Sequence, residues 1–436
     1  MKLLIYALLI MVAGIFSGTL IGASVGLASL LAHGSLGLER TIMMCNMLGW
    51  DFARSFTLTA IPLFILMGEI FARSGLIDDL FGSFLLLTRG KIPGGLLQPC
   101  MLTATIFSAF SGSSTASTAC LGKVIHPVLR KNNYDDALST GALAAGGSLD
   151  MMIPPSIILV VFASITDTSL GRLYIAAFIP GLMSAALFMI YLGIKIPRPW
   201  TLVADFDEGN RFGGPKGKEI RRAGLSLVPF LGMIIIVMGP LYLGVATATE
   251  IAAIGTAGSI LLCVMYKKFN FKLVWDSAMD AVRVTCFIYF IMFGTLTFGA
   301  ALASSGVTIE LPELMKSVGN QHIVFALITL FYLILGMLFD PMSILLLTSP
   351  FMFPVITAFG FSGFWCGIYI ALQIQIGLLT PPVGINLFVM HGTTGVPFAT
   401  ISRGALPFVV ILLFVTVLIY LFPQLVDWLP NMIGSM

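Results

Sequence analysis

A chain of 436 residues that is 58% hydrophobic and only 10% charged, with a mean hydropathy of +1.01, has too few charges to cover a soluble surface. It has many apolar runs long enough to cross a bilayer, so it reads as an all-α polytopic membrane protein. The formal charge of +3 gives no support for nucleic-acid binding, because lysines and arginines in such proteins collect on cytoplasmic loops.

An apolar run from Leu3 to about Leu31 is longer than a signal-peptide core, lacks a clear cleavage site and is read as a retained first span. Gly14, Gly18, Gly22 and Gly26 recur every four residues in it, a bare stripe that permits close approach of another helix. The G-x-S-x-G at 22–26 would need a strand-to-helix turn to serve as a nucleophile elbow, so packing is preferred. Residues 39–55, with Glu39, Arg40, Trp50, Asp51 and Arg54, predict an interfacial amphipathic helix before a second span at 56–73.

Apolar stretches 94–111 and 114–130 flank a polar cluster and predict a helical hairpin over 94–130. Each arm is either a full span or half of a re-entrant loop. A broken helix at 137–166, interrupted by Pro154-Pro155, and a span at 172–196 complete a first repeat over 1–196. The polar loop 197–223 divides the chain. The second repeat, 224–436, has spans near 224–243 and 248–266, an amphipathic stretch at 270–283 and a span to about 303. A hairpin at 322–358, a broken helix at 362–390 and a last span at 404–428 follow.

The halves agree in register. Pro127 and Pro354 are as far apart as Pro154-Pro155 and Pro381-Pro382, and GEIFARSG from Gly68 matches GAALASSG from Gly299 with a four-residue change. An odd number of crossings separates the hairpins, so the repeat has inverted topology. Only Arg40, Arg54, Arg172 and Lys316 of the 23 Lys and Arg fall on the outer side when Lys2 is placed in the cytoplasm. That asymmetry predicts a cytoplasmic N-terminus and a periplasmic C-terminus. Trp50, Trp200, Trp275, Trp365 and Trp428 fall near predicted span ends. The six cysteines lack metal-ligand spacing and read as small buried hydrophobes.

Polar, proline-broken backbone inside apolar segments, at matching places in two halves, points to a transporter's binding site. A break at Pro-Pro leaves carbonyls without amide partners, and hairpin tips free further groups. Ser113, Gly147 and Ser148 in the first half, and Asp340, Ser343, Thr380 and Gly384 in the second, are candidate hard-oxygen ligands for Na⁺. Ser111, Gly112, Ser114, Asp150, Pro155, Ser156, Gln375, Pro382 and Asn386 are candidates for contact with an anionic substrate, which helix N-termini attract. The rival reading is that Ser, Thr and Gly only help helices pack. Asp150 and Asp340 are acidic residues at membrane depth, where a charge is costly and faces a cavity or a partner. Asp150, four residues before its break, could line the cavity, bind a cation or carry a proton, with a structural carboxylate satisfied by freed backbone amides as the rival. His126 and His391 lack a partner at ligand spacing and are assigned to packing or a hydrogen bond. Gln373 and Gln375 alternate faces, one toward substrate or both as helix-helix contacts.

The Ser-Gly-Ser-Ser tip, Asn133-Tyr134-Asp135, Gly146-Gly147-Ser148 leading to Ile153-Pro154-Pro155-Ser156, Thr247-Ala248-Thr249-Glu250, Phe339-Asp340-Pro341 and Leu379-Thr380-Pro381-Pro382-Val383-Gly384 together resemble the large membrane subunit of tripartite ATP-independent periplasmic (TRAP) transporters. The resemblance covers nearly the whole chain. It implies a bacterial or archaeal inner-membrane secondary transporter that uses a Na⁺ gradient and an elevator-like motion. It further implies a small four-span membrane subunit and a periplasmic binding protein that delivers an organic acid, carboxylate or sulfonate. Asp150 departs from the family, which usually has glycine or another uncharged residue there, and Ala248 stands where proline is common. An intramembrane hydrolase is disfavoured, because its Ser/His, G-x-G-D or H-E-x-x-H signatures are absent. A channel and a standalone Na⁺/carboxylate carrier are the remaining alternatives.

Overall fold

The computed structural model describes residues 21–33, 38–88, 91–197 and 216–433, and every regular element among them is a helix. Gly14, Gly18, Arg89, Trp200 and most of the predicted linker lie outside the described residues. Seven of the described helices are long and apolar enough to cross a membrane.

In the first half, α1 (Ile21–His33) and the amphipathic α2 (Leu38–Arg54) lead through a 3₁₀ turn (Phe56–Thr59) into α3 (Ala60–Arg73) and a short α4 (Leu76–Thr88). The hairpin is α5 (Leu97–Ser111) and α6 (Ser114–Val124), followed by α7 (His126–Lys131). With 15 and 11 residues, its arms fall short of the roughly 20 needed to cross, which favours the re-entrant form. Gly112 makes the tip possible: its φ of +60° suits glycine, and a Cβ there would meet Ile157 Cδ1 at 2.9 Å. The broken helix is α8 (Asp136–Gly147), a 3₁₀ turn (Ser148–Met151) and α9 (Ile157–Thr166), and α10 (Leu170–Lys195) ends the half. Both Pro154-Pro155 and Pro381-Pro382 are cis.

The second half runs α11 (Lys216–Tyr242), α12 (Ala248–Met265), α13 (Phe271–Ser304), α14 (Val307–Ser317), the hairpin α15 (Gln321–Gly336) and α16 (Pro341–Ala358), the broken pair α17 (Gly363–Leu378) and α18 (Ile385–Thr394), α19 (Phe398–Leu421) and α20 (Gln424–Ile433). Even the caps repeat. Asp135 and Ser362 cap the helices that run into the two breaks, accepting from Leu138 N at 2.8 Å and Trp365 N at 3.0 Å. Ser113 and Asp340 cap the returning arms of the two hairpins.

Two contacts locate the symmetry. Gln375 Nε2 donates to Ser148 Oγ at 3.1 Å, and these residues are 227 apart, the hairpin register. Tyr289 OH donates to the Leu58 carbonyl at 2.7 Å, and these are 231 apart, the register of the preceding spans. A residue touches its own repeat mate only where both lie beside a two-fold axis. Packing is exchanged accordingly: α19 packs on α8 as α10 packs on α17, and α18 on α6 as α9 on α16. The chain is therefore an inverted repeat whose halves interlock.

Four expectations change. Residues 270–283 do not form a separate amphipathic helix but the first part of the continuous α13. The corresponding first-half segment is interrupted at Ser55, whose backbone is extended. Pro62 falls in the first turn of the helix that follows, where a missing N–H is tolerated, while 271–304 contains no proline and runs through. The sequence assigns no element to 74–93 or 304–321, and the structure forms the short helices α4 and α14 there. The last span ends at Leu421, and Trp428 sits in a separate helix. Trp365 is no interfacial anchor: it is fully buried, stacks on Phe361 and Tyr369, and donates Nε1–H to the Ile419 carbonyl at 2.9 Å.

The glycine stripe does what its spacing suggests at Gly22. A Cβ there would meet Phe290 Cδ1 at 2.5 Å, so α1 and α13 pack at near-backbone distance. Ser24, the center of the G-x-S-x-G, lies inside α1 with no turn to expose it.

Candidate functional site

The first hairpin tip and the first break meet, as their shared polarity suggests. Ser114, at the first turn of α6, donates to the Gly147 carbonyl at 3.1 Å, where α8 gives way to the 3₁₀ turn. A Cβ on Gly147 would fall 2.2 Å from Thr118 Oγ1 and 2.8 Å from the Thr118 backbone, so only glycine lets α6 lie on the break.

The second break reaches the same place. Asn386, at the start of α18, is fully buried and donates Nδ2–H to Ser114 Oγ at 2.7 Å, with the Ala144 carbonyl farther away at 3.4 Å. Gln375, on the helix entering the second break, donates to Ser148. Ser114, Gly147, Ser148, Gln375 and Asn386, chosen from four separate segments, thus form one buried cluster.

Asp150 lies on the 3₁₀ turn between α8 and the Pro154-Pro155 break and is 1% exposed. Neither of its carboxylate oxygens makes a hydrogen bond of normal geometry, although the Ser114 hydroxyl and the backbone amides of Asp150 and Met151 lie close enough to interact with the carboxylate. Gln375 Oε1, Asn386 Oδ1, Ser117 Oγ and Thr118 Oγ1 are also buried and unpartnered. Buried polar oxygens without partners are rare. A group of them suits a hard cation, which takes oxygen ligands. Ser117 and Thr118 were not singled out in the sequence. The available signal was the helical spacing that places Thr118 one turn beyond Ser114.

The other candidates fall into local roles. Ser111 donates to the Ser113 carbonyl at 3.2 Å, Ser113 caps α6 and pairs with Thr115 at 3.2 Å, and Ser156 donates to the Met151 carbonyl at 3.1 Å. Pro155 is buried and Pro382 exposed, so the two breaks are unequally covered. Asp340 accepts from the Ser343 amide at 3.1 Å and from the Ser343 hydroxyl, a cap that occupies both residues. Thr380 donates to the Ile376 carbonyl at 2.7 Å. Gly384 has φ +54° and would carry a Cβ 3.0 Å from the Thr380 carbonyl. The second hairpin reaches its break through Gly336 and Gly377, where a Cβ on either would lie 2.4 Å from the other's Cα. Gln373 donates to Thr416 Oγ1 at 3.3 Å, His126 pairs with Asp136 at 3.2 Å, and His391 Nδ1 meets the Val396 carbonyl at 2.7 Å. All three hold one segment to another.

This architecture is shared. Residues 5–425 match the family described as "Tripartite ATP-independent periplasmic transporter, DctM component". The chain is 29% identical to the C4-dicarboxylate TRAP transporter large permease protein DctM of Pseudomonas aeruginosa, covering 88% of each chain. It is 30% identical to the sialic acid TRAP transporter large permease protein SiaM of Vibrio cholerae, covering 96% of each. Among solved structures, the YdaH transporter of Alcanivorax borkumensis superposes with a TM-score of 0.59 at 15% identity, over 92% of this chain and 89% of that one, a likeness of fold. Interlocked hairpins and proline breaks, together with a match over nearly all of its length, place the chain in the DctM-component family of tripartite ATP-independent periplasmic transporters, as a transport permease and not an enzyme.

Proposed function

We propose that this permease carries a small organic acid anion, a carboxylate or sulfonate, across the bacterial or archaeal inner membrane, driven by a Na⁺ gradient. The observation that carries this reading is the meeting of both breaks at one hairpin tip, through Ser114–Asn386 and Ser148–Gln375, with unpartnered oxygens around it. Broken helices whose free backbone lines a cavity suit an anion at helix N-termini and a cation at carbonyls. Oxygens of Thr118, Gln375 and Asn386 would hold Na⁺ at the first tip, and Asp340, Ser343, Thr380 and Gly384 would do so at the second. Cation and substrate then strengthen each other's binding reciprocally.

The relatives' names speak of tripartite transport of C4-dicarboxylate and sialic acid. By analogy, a periplasmic binding protein delivers the substrate and a small four-span membrane subunit completes the complex, with the N-terminus of this chain in the cytoplasm and its C-terminus in the periplasm. Hairpins, broken helices, α10 and α19 would slide as one body against a scaffold of α1, α3, α12 and α13. Uptake into proteoliposomes holding this chain and its two partners, scanned over candidate acids, should require an inward Na⁺ gradient. Uptake that proceeds equally with K⁺ would refute Na⁺ coupling, and full activity without partners would favour a standalone carrier. Cysteine pairs between α6 and Gly22 should cross-link in only one of the inward and outward states. Equal cross-linking in both would argue against sliding.

A further inference from the structure

Among the described residues, Asp150 has no counter-charge. The helices packed against its 3₁₀ turn are α5, α6, α8, α9, α10 and α17. Their charged side chains are Lys123, Asp136, Arg172 and Lys195. The three cations among these are exposed, and Asp136 pairs with His126. Their other titratable groups are Cys100, Cys120, Tyr174, Tyr191, Cys366 and Tyr369, none of them basic. Tyr174 gives its hydroxyl hydrogen to the Ser156 carbonyl at 3.1 Å, and Tyr369 bonds to Thr329 at 2.7 Å. A buried carboxylate without a cation and without a well-formed hydrogen bond is strongly disfavoured unless something positive joins it.

The surroundings say what joins it. The Ser114 hydroxyl beside Asp150 is already committed to the Gly147 carbonyl and accepts from Asn386. Beyond the amides of Asp150 and Met151, what remains in the cluster is a surplus of unpartnered oxygens, on Thr118, Gln375 and Asn386. Both carboxylate oxygens are closed off from solvent, which admits a small ion more readily than a substrate's head group. We infer that Asp150 is the anionic ligand of an alkali-cation site at the first hairpin tip, completed by Thr118, Gln375 and Asn386. This rests on reading the chain as a cation-coupled carrier, and it moves Asp150 from the substrate contacts to the ion.

The site is one-sided. The repeat mate of Asp150 is Gly377, pressed against Gly336 so closely that even a methyl group would collide. Between the two breaks, a formal negative charge belongs to the first alone; at the second tip the charge, Asp340, sits on the hairpin and is taken up in its cap. A carboxylate concentrates more field on an ion than carbonyls do, so Na⁺ and Li⁺ should bind ahead of K⁺.

The test is equilibrium binding of radioactive sodium to the purified full-length chain in lipid nanodiscs, competed with unlabelled Na⁺, Li⁺ and K⁺. Asp150→Asn should weaken sodium binding by about tenfold or more, and Thr118→Val by less. Asp150→Gly, bearing the residue type of the repeat mate, serves as a second charge-free variant should the amide disturb folding. Equal sodium affinity in the wild type and the charge-free variants would overturn the assignment, as would a wild type that binds no sodium. Unchanged sodium binding with weakened substrate binding would return Asp150 to the substrate. Uptake that ignores Na⁺, with sodium binding still dependent on Asp150, would sink the coupling reading and leave the site standing.

Discussion

Ser114 is the joint through which one hairpin holds both breaks, and removing its hydroxyl should be costly in a way that removing its neighbour's is not. Ser114→Ala takes the donor from the Gly147 carbonyl and the acceptor from Asn386 Nδ2, which keeps only the Ala144 carbonyl at 3.4 Å. Each buried group left unpaired costs about 1–3 kcal/mol, so the pair should cost about 2–4 kcal/mol. Ser113 is half-buried and caps α6 through a long 3.4 Å bond to Ala116 N. Its loss should cost only about 0.5–1 kcal/mol. Equilibrium unfolding in mixed detergent micelles measures both, and a double-mutant cycle of Ser114→Ala with Asn386→Ala should show a coupling of about 1–2 kcal/mol. Strict additivity in that cycle, or an equal cost for the two serines, would refute the joint.

Three further outcomes are expected. Gly404→Ala would put a Cβ 1.7 Å from the Ala137 carbonyl; backbone cannot turn aside, so thermal unfolding should show a loss of about 1–3 kcal/mol or more. Gly68→Ala would meet the Ser111 carbonyl at 2.2 Å where α3 touches the first hairpin, and cross-linking should show this conformation depopulated. Asp340→Asn keeps a good capping residue and loses the charge, so the fold should survive while half-maximal uptake needs more Na⁺. Ser343→Ala should move in the same direction, and Na⁺ dependence unchanged in both would leave Asp340 and Ser343 as caps only.

Much of this was legible because hydrocarbon punishes exceptions. Pro-Pro pairs, a Ser-Gly cluster and buried acids stand out in apolar sequence, and their duplication located both hairpins and both breaks. Partners across the repeats were not legible. That Asn386 reaches Ser114, or that Gln375 meets Ser148, depends on how the halves interlock, and local spacing carries no record of that. Capping competes with ligation in such sequences: Asp340 followed three residues later by Ser343 is an ordinary N-terminal pattern, and the structure uses it as one. Ser117 and Thr118 carry no signal of their own, because a small hydroxyl inside a helix usually bonds its own backbone, as Thr140 does to the Asp136 carbonyl. The short α4 and α14 were hidden by length, since pattern reading favours elements that can span.

The two registers of the repeat bear on motion. Gln375 touches Ser148 at 227 residues and Tyr289 touches Leu58 at 231, so four residues have been gained or lost between blocks that each kept their own contact with the axis. The change falls where α4 connects to α5 across residues 89–96, against the tight connection from α14 to α15 across 318–320. A length change inside either block would have shifted every later side chain off its partner. At a joint it costs little, because loop-closure entropy grows slowly with length. The scaffold side of that joint is pinned by charge: Arg73 pairs with Asp280, and Lys268 with Asp79 and the Gly75 carbonyl. The start of α4 is thus fastened to the helices that would form the scaffold, and the length difference lies beyond it, at the entry to the hairpin, where the sliding body proposed above would begin.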